Sequence, residues 1–254
     1  MNKKEILTNG LPFGNFVISP KLLLSERDGF WAVANLMQTE PGRSLMVVPE
    51  KKVQYLHELS SQERLEFAEY WVHVFNSVVG MGWGTMILNE GVEAGQNVPH
   101  VHGHIFHGDI LTKIPFSFVT SDYKDKGYFL YSKAGSVANG EEVIIHKISP
   151  KVGYGYLYRY PMGDRVAFQA ILNFWLNKLC QICLQGRQGN LLMIQDDKNT
   201  IQFYVIDRPN PLKENNPSRD KEKTYSILKD GEFISPEVER NVNDLKMLVE
   251  GAYM

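Results

Sequence analysis

The chain has 254 residues and is 43% hydrophobic, enough for a full core in one large domain or two modest ones. Lys and Arg total 27 against 29 Asp and Glu, so a broad nucleic-acid-binding surface is not expected, while a local basic pocket is compatible with the balance. No apolar run approaches the ~18 residues of a membrane-spanning helix, and the opening MNKKEILTNG lacks the apolar stretch of a secretory signal. With two cysteines, a reducing, cytoplasmic setting is the expectation.

In chain order, GFWAVANLM and SLMVVP read as strands around the Pro-Gly turn of QTEPGR. Ser60 and Glu63 then make a capping-box pattern. Leu65, Ala68, Val72, Phe75 and Val79 recur at helical spacing, and Gly80 and Gly82 supply the stop. TMILNEG is a further strand, EAGQ a turn, and PHVHGHIF a strand rich in imidazole. Beyond residue 110 the segments IPFSFVTSD, GYFLYS, EEVIIHKI and YGYLYRYP read as strands. In the last of these, Tyr154, Tyr156, Tyr158 and Tyr160 share one face, as a core stripe or as a platform for a base. A second strong helix follows in DRVAFQAILNFWLNKLCQICLQG, with Asp164 as its cap and Gly186 as its stop. Its Cys180 and Cys183 could be half a zinc site or a redox pair. No second pair stands nearby, so two small core residues are the simpler reading. NLLMIQ and IQFYVIDRP form a hairpin across DDKNT. NPLKENNPSRDKEK is an exposed loop, and a last helix opens with Ser235 as cap and Pro236 as first residue. Both halves share a rhythm of strands, a long helix and a strand pair, which makes an internal duplication conceivable without visible sequence identity.

Four of the seven histidines fall within residues 100–107. In a strand His100, His102 and His104 would share one face, each ~6–7 Å from the next. Val101, Gly103 and Ile105 would face the core, with Gly103 admitting a close neighbour. Three readings compete: solvated histidines on a half-exposed strand, a metal site, or nucleophilic catalysis on phosphorus. Three ligands along one straight strand are poorly placed for a tetrahedral ion without help from elsewhere. In the catalytic reading a neutral imidazole attacks phosphorus while its neighbours bind charge and assist departure of the leaving group.

The surrounding LNEGVEAGQNVPHVHGHIF resembles the histidine-triad (HIT) superfamily, whose signature is His-x-His-x-His followed by apolar residues. EAGQ at 93–96 belongs to the same likeness, as does Asn35, six residues before Pro41-Gly42. VVPEKKVQYLHEL, ending near His57, looks like that group's proline-initiated stretch. The resemblance covers residues 30–107. It implies that His102 is the nucleophile that becomes nucleotidylated. His100 would orient it through the neighbouring backbone, and His104 would contact phosphate. Gln96 and Asn97 match phosphate-binding positions, Asn89 a position near the phosphates and Asn35 one near the ribose. Turn chemistry is the alternative reading for the three asparagines. Asn97 stands where the hydrolase branch often has Ser or Thr, and Arg43, a candidate phosphate ligand, where it often has His.

The simple hydrolases of the superfamily end soon after the row, whereas this chain continues to residue 254. That length, with GNLLMIQ and FYVIDRP, loosely resembles dinucleoside-tetraphosphate phosphorylases and the galactose-1-phosphate uridylyltransferase group, whose chains hold two related halves. In transferases Gln commonly ends the row; here it is His104, which leans toward hydrolysis. A phosphate acceptor would need a second anion pocket, for which Arg43, Arg159, Arg187 and Arg208 are candidates, though surface charge is the commoner role of such residues.

The expected fold is α+β: a HIT-like antiparallel sheet with a long helix over residues 1–110, and a degenerate second HIT-like half or extension over 111–254, packed as one unit with the first. The expected activity is cleavage at the α-phosphate through a nucleotidyl-histidine intermediate, as a dinucleoside polyphosphate hydrolase or phosphorylase. The alternatives are nucleotidyl transfer from a nucleoside diphosphate sugar, and a non-catalytic nucleotide sensor. The expected partner is a nucleotide. No cofactor and no metal site are required, Mg²⁺ being an optional companion of a polyphosphate. No membrane partner is expected, and a homodimer is the state that the resemblance implies.

Overall fold

A computed structural model of the chain describes residues 3–35, 44–80, 82–107, 134–137, 141–146, 155–161, 165–195, 200–211 and 236–251. The chain opens with helix α1 (Lys3–Asn9) and a hairpin of β1 (Leu11–Phe13) and β2 (Phe16–Ile18), turned by Gly14 and Asn15. Then come β3 (Leu23–Arg27), β4 (Phe30–Ala34), β5 (Ser44–Pro49), helix α2 (Ser61–Val79), β6 (Gly84–Glu90) and β7 (Gly103–His107). The second half holds β8 (Ala134–Val137), β9 (Glu141–His146), β10 (Gly155–Pro161), helix α3 (Arg165–Leu184), β11 (Arg187–Gln195), β12 (Thr200–Pro211) and helix α4 (Pro236–Gly251).

Among the described residues ten strands form one antiparallel sheet in the order β3-β4-β5-β7-β6-β11-β12-β10-β9-β8. Read inward from its two edges, the sheet is β3-β4-β5-β7-β6 and β8-β9-β10-β12-β11. The second order is the first with five added to each number. In each half the long helix falls between the third and fourth strands in chain order. The halves are thus built alike and join where β6 and β11 pair from Gly84↔Gln195 to Glu90↔Gly189. The edge of β6 is occupied by β11, so a homodimer would have to form through another surface.

Both expected capping-box bonds of α2 are present: Ser60 Oγ accepts from the Glu63 amide at 3.1 Å, and the Ser60 amide donates to Glu63 Oε2 at 2.6 Å. Gly80 ends the helix at φ 59°. The helix lies on the sheet face that carries Leu45, Val47, Met86, Leu88, Gly103 and Ile105, five of them fully buried side chains. Trp71 of α2 packs directly over Gly103: a Cβ there would lie 2.5 Å from the indole. The opposite face, with His104, carries the candidate site.

One expectation changes. Only His104 of the row lies in a strand, because β7 begins at Gly103; His100 and His102 sit in the approach to it. The reason is local. The Val101 amide donates to the Val53 carbonyl at 2.8 Å, outside the sheet, and pairing with β5 starts only at Gly103↔Val47. The N-terminal helix, hairpin and β3 were not expected from pattern, being too short to show a period. Residues 36–43, Asp164, Ser235 and the expected strands at 114–122 and 127–132 lie outside the described residues.

Tyr156 and Tyr158 pair with Val205 and Phe203, which also pair with Leu191 and Met193. Leu191 and Met193 are fully buried, and α3 packs on β11. Tyr154 and the side chains of Tyr156, Tyr158 and Tyr160 lie outside the described residues. Cys180 and Cys183 in α3 are both buried thiols. No helix among the described residues is long and apolar enough to cross a membrane.

Candidate active site

The histidine loop, residues 91–102, is bound to the end of β5 and to the segment that follows it. His100 Nε2 lies 2.9 Å from the Pro49 carbonyl, and Gln96 Nε2 donates to the Gln54 carbonyl at 2.7 Å. Gln96 Oε1 accepts from the Gly91 amide at 2.8 Å and closes the turn on itself. In the second half, β11 and β12 are joined by residues 196–199 alone. That short connection leaves no counterpart of the loop, which is why one half of the sheet carries the row.

The hydrogen bonds fix two tautomers. A backbone amide only donates, so the 3.1 Å bond from Gly14 N to His100 Nδ1 requires a bare nitrogen there. His100 therefore carries its proton on Nε2 and gives it to the Pro49 carbonyl. A carbonyl only accepts, so the 2.7 Å bond between His102 Nδ1 and the His100 carbonyl requires a proton on that nitrogen. His102 Nε2 is left with its lone pair free.

The rings are close. His102 and His104 meet edge to face with centroids 4.7 Å apart, nearer than extended strand spacing gives, because His102 is not in extended pairing. Phe13 lies 5.1 Å from the His102 ring and 5.3 Å from the His100 ring. Phe106 stacks on His104 at 5.8 Å. His100 is fully buried and His102 is 6% exposed. Burial lowers the pKa of all three imidazoles: that of His100 to about 4 and that of His104 to about 3, with that of His102 also below the ordinary value. The cluster is therefore neutral at physiological pH, as a nitrogen nucleophile requires. His104 Nδ1 is buried without a hydrogen-bond partner among the described residues.

Because His100 spends both nitrogens on Gly14 and Pro49, the three imidazoles as arranged do not converge on one ion. Among the described residues no group of three or more His, Cys, Asp or Glu could hold a metal.

The remaining candidates fall in different places. Asn89, on β6, shares the His104 face: Ile87, two residues before it, pairs with His104. Asn35 follows β4 and donates from Nδ2 to Ser44 Oγ at 3.1 Å. Ser44 pairs with Phe106, one step along the same face from His104. Gln96 is 1% exposed and engaged at both ends of its amide, so it shapes the loop. Asn97 is exposed on the rim. Arg43 lies outside the described residues. Arg187 is half-buried and bonds Gln185. The side chains of Arg159 and Arg208 lie outside the described residues.

Besides Phe13 and Gly14, a further residue of the site escaped the sequence. Asn190 of β11 is 7% exposed, and its Nδ2 donates to Asn89 Oδ1 at 2.7 Å and to the Ala94 carbonyl at 2.6 Å. The second half thus holds both the Asn89 side chain and the Val92–Ala94 turn. Only the pairing of β6 with β11 brings these residues together, and no spacing in the sequence announces it.

The HIT domain family model matches residues 19–110. Among solved structures, the fold is similar to that of a DUF4931 family protein from Bacillus cereus, with TM-score 0.52 and 10% identity over 91% of this chain and 99% of that one. A uridylyltransferase has TM-score 0.49 and 13% identity over 91% and 90%. An ADP-glucose phosphorylase from Arabidopsis thaliana has TM-score 0.48 and 9% identity over 82% and 84%. The Bacillus cereus likeness is one of fold and runs through both halves.

Proposed function

With residues 19–110 forming a HIT domain, we propose that the chain is a nucleotidyl hydrolase or phosphorylase that acts on dinucleoside polyphosphates through a covalent adduct on His102. The observation that carries this reading is the bond from His102 Nδ1 to the His100 carbonyl, 2.7 Å long, which leaves Nε2 as a bare nucleophile on a neutral ring. In the first step Nε2 attacks the α-phosphorus. An N–P bond forms, the P–O bond to the leaving group breaks, and the departing oxygen takes the electron pair. As positive charge develops on the imidazole, the His100 carbonyl dipole stabilises it. His104 is proposed to contact a phosphate oxygen. In the second step water, which loses a proton to solvent, or inorganic phosphate attacks the phosphorus, the N–P bond breaks, and the pair returns to Nε2.

Asn89, held by Asn190, and Asn35, held by Ser44, flank His104 on the same sheet face and are proposed to contact phosphate and ribose respectively. A Mg²⁺ ion would travel with the polyphosphate. A His102→Ala variant tests the reading. Loss of nucleotide cleavage with retained binding supports it; cleavage at the wild-type rate overturns it.

A further inference from the structure

We propose that the N-terminal hairpin Leu11–Ile18, which precedes the matched segment, is a positioning element of the histidine site: its Gly14 amide fixes the tautomer of His100, and its Phe13 ring packs against His102. The proposal rests on the reading of His102 as nucleophile.

The hairpin is a separate two-stranded sheet, not part of the ten-stranded one. It is anchored by Ile6, Leu11 and Ile18, all essentially buried, and reaches the row with its turn. Only glycine delivers the amide there. Gly14 has φ 60°, and a Cβ would lie 2.8 Å from Val98 Cγ1 and 3.1 Å from Pro99 Cδ. Those are the two residues immediately before His100, so the turn is seated on the loop whose ring it addresses.

The consequence passes from ring to ring. The Gly14 amide makes the Nε2–H tautomer of His100 the only one that satisfies both ring nitrogens. The His100 ring is then pinned between Gly14 and the Pro49 carbonyl. Its own carbonyl is thereby held where it accepts the His102 proton. A proton added at His100 Nδ1 would meet the Gly14 N–H head on, so the hairpin opposes a charged His100. Phe13, 2% exposed, supplies the apolar wall shared by the two rings.

The test compares wild type with Gly14→Ala, Phe13→Ala and Phe13→Leu. Imidazole ¹⁵N–¹H correlation spectra need no substrate and report which nitrogen bears the proton. The wild type is expected to show His100 protonated at Nε2 and His102 at Nδ1. Gly14→Ala and Phe13→Ala are expected to turn these into averaged tautomers. Both should slow His102 labelling about tenfold at saturating donor, with KM within about twofold, and Phe13→Leu should restore much of both signals. The donor is whichever of diadenosine tetraphosphate, diguanosine tetraphosphate or UDP-glucose labels the wild type. If none does, the nucleotidyl reading fails, and the spectra alone decide the hairpin's role. Should Gly14→Ala not fold, the two Phe13 variants decide it. Unchanged tautomers in a folded Phe13→Ala or Gly14→Ala protein overturn the proposal.

Discussion

The Nδ1–H of His102 donates to the carbonyl oxygen of His100 at 2.7 Å, while the ring of His100 is tied to Gly14 and Pro49. Both rings are buried, and burial holds their pKa values below the ordinary 6.5. The unfolded chain therefore takes up more protons than the folded one as pH falls below about 6.5. Stability is present above that pH and is lost toward about 4, where His100 titrates in the fold. Urea unfolding across this window should show falling stability. His100→Asn, which keeps an acceptor for Gly14, should reduce the slope by about one proton; an unchanged slope contradicts this account.

Glu90 gives the opposite sign. It is fully buried, accepts from the Leu56 amide at 3.0 and 3.2 Å, and bonds Cys183. Burial raises its pKa from 4.5 to about 8. Here the folded state holds the extra proton, so the contribution is present at low pH and is lost as pH rises through about 8. Glu90→Gln should remove a decline in stability of about one proton between about pH 4.5 and 8, measured by denaturant unfolding. An unaltered slope over that window would show that Glu90 does not cause it.

Gly103→Ala places a methyl 2.5 Å from the fixed indole of Trp71. Overpacking of this kind costs about 1–3 kcal/mol, and the strand that carries His104 must shift to relieve it. A lowered melting temperature together with reduced activity is expected. A melting temperature equal to that of the wild type would show that the helix yields freely.

Asn190→Ala removes the donor from Asn89 Oδ1 and the buried Ala94 carbonyl. The cost is about 1–3 kcal/mol in stability. A raised KM for the nucleotide is also expected, since Asn89 loses its brace. Steady-state kinetics check this, and an unchanged KM would detach the second half from the site.

The sequence disclosed the elements with strong periods. Ser60 and Glu63 announced α2, and Gly103 announced a close neighbour, which proved to be Trp71. The His-x-His-x-His spacing suggested a straight strand, but alternation cannot reveal that Val101 bonds Val53 outside the sheet. Likewise Phe13 and Gly14 carry no pattern of their own; their meaning comes from contact with His100 and His102, far along the chain. Asn190 was hidden for the same reason, since it gains a role only when β6 and β11 pair. Long-range register supplied what local spacing could not.

Mass measurement of the intact protein, after brief exposure to a mixture of dinucleoside tetraphosphates and nucleoside diphosphate sugars, tests the central claim most directly. One added nucleoside monophosphate is expected, mapped to His102 by peptide fragmentation, lost on adding phosphate or on standing in water, and absent in His102→Ala. Turnover without any adduct, or an adduct on another residue, would contradict the account.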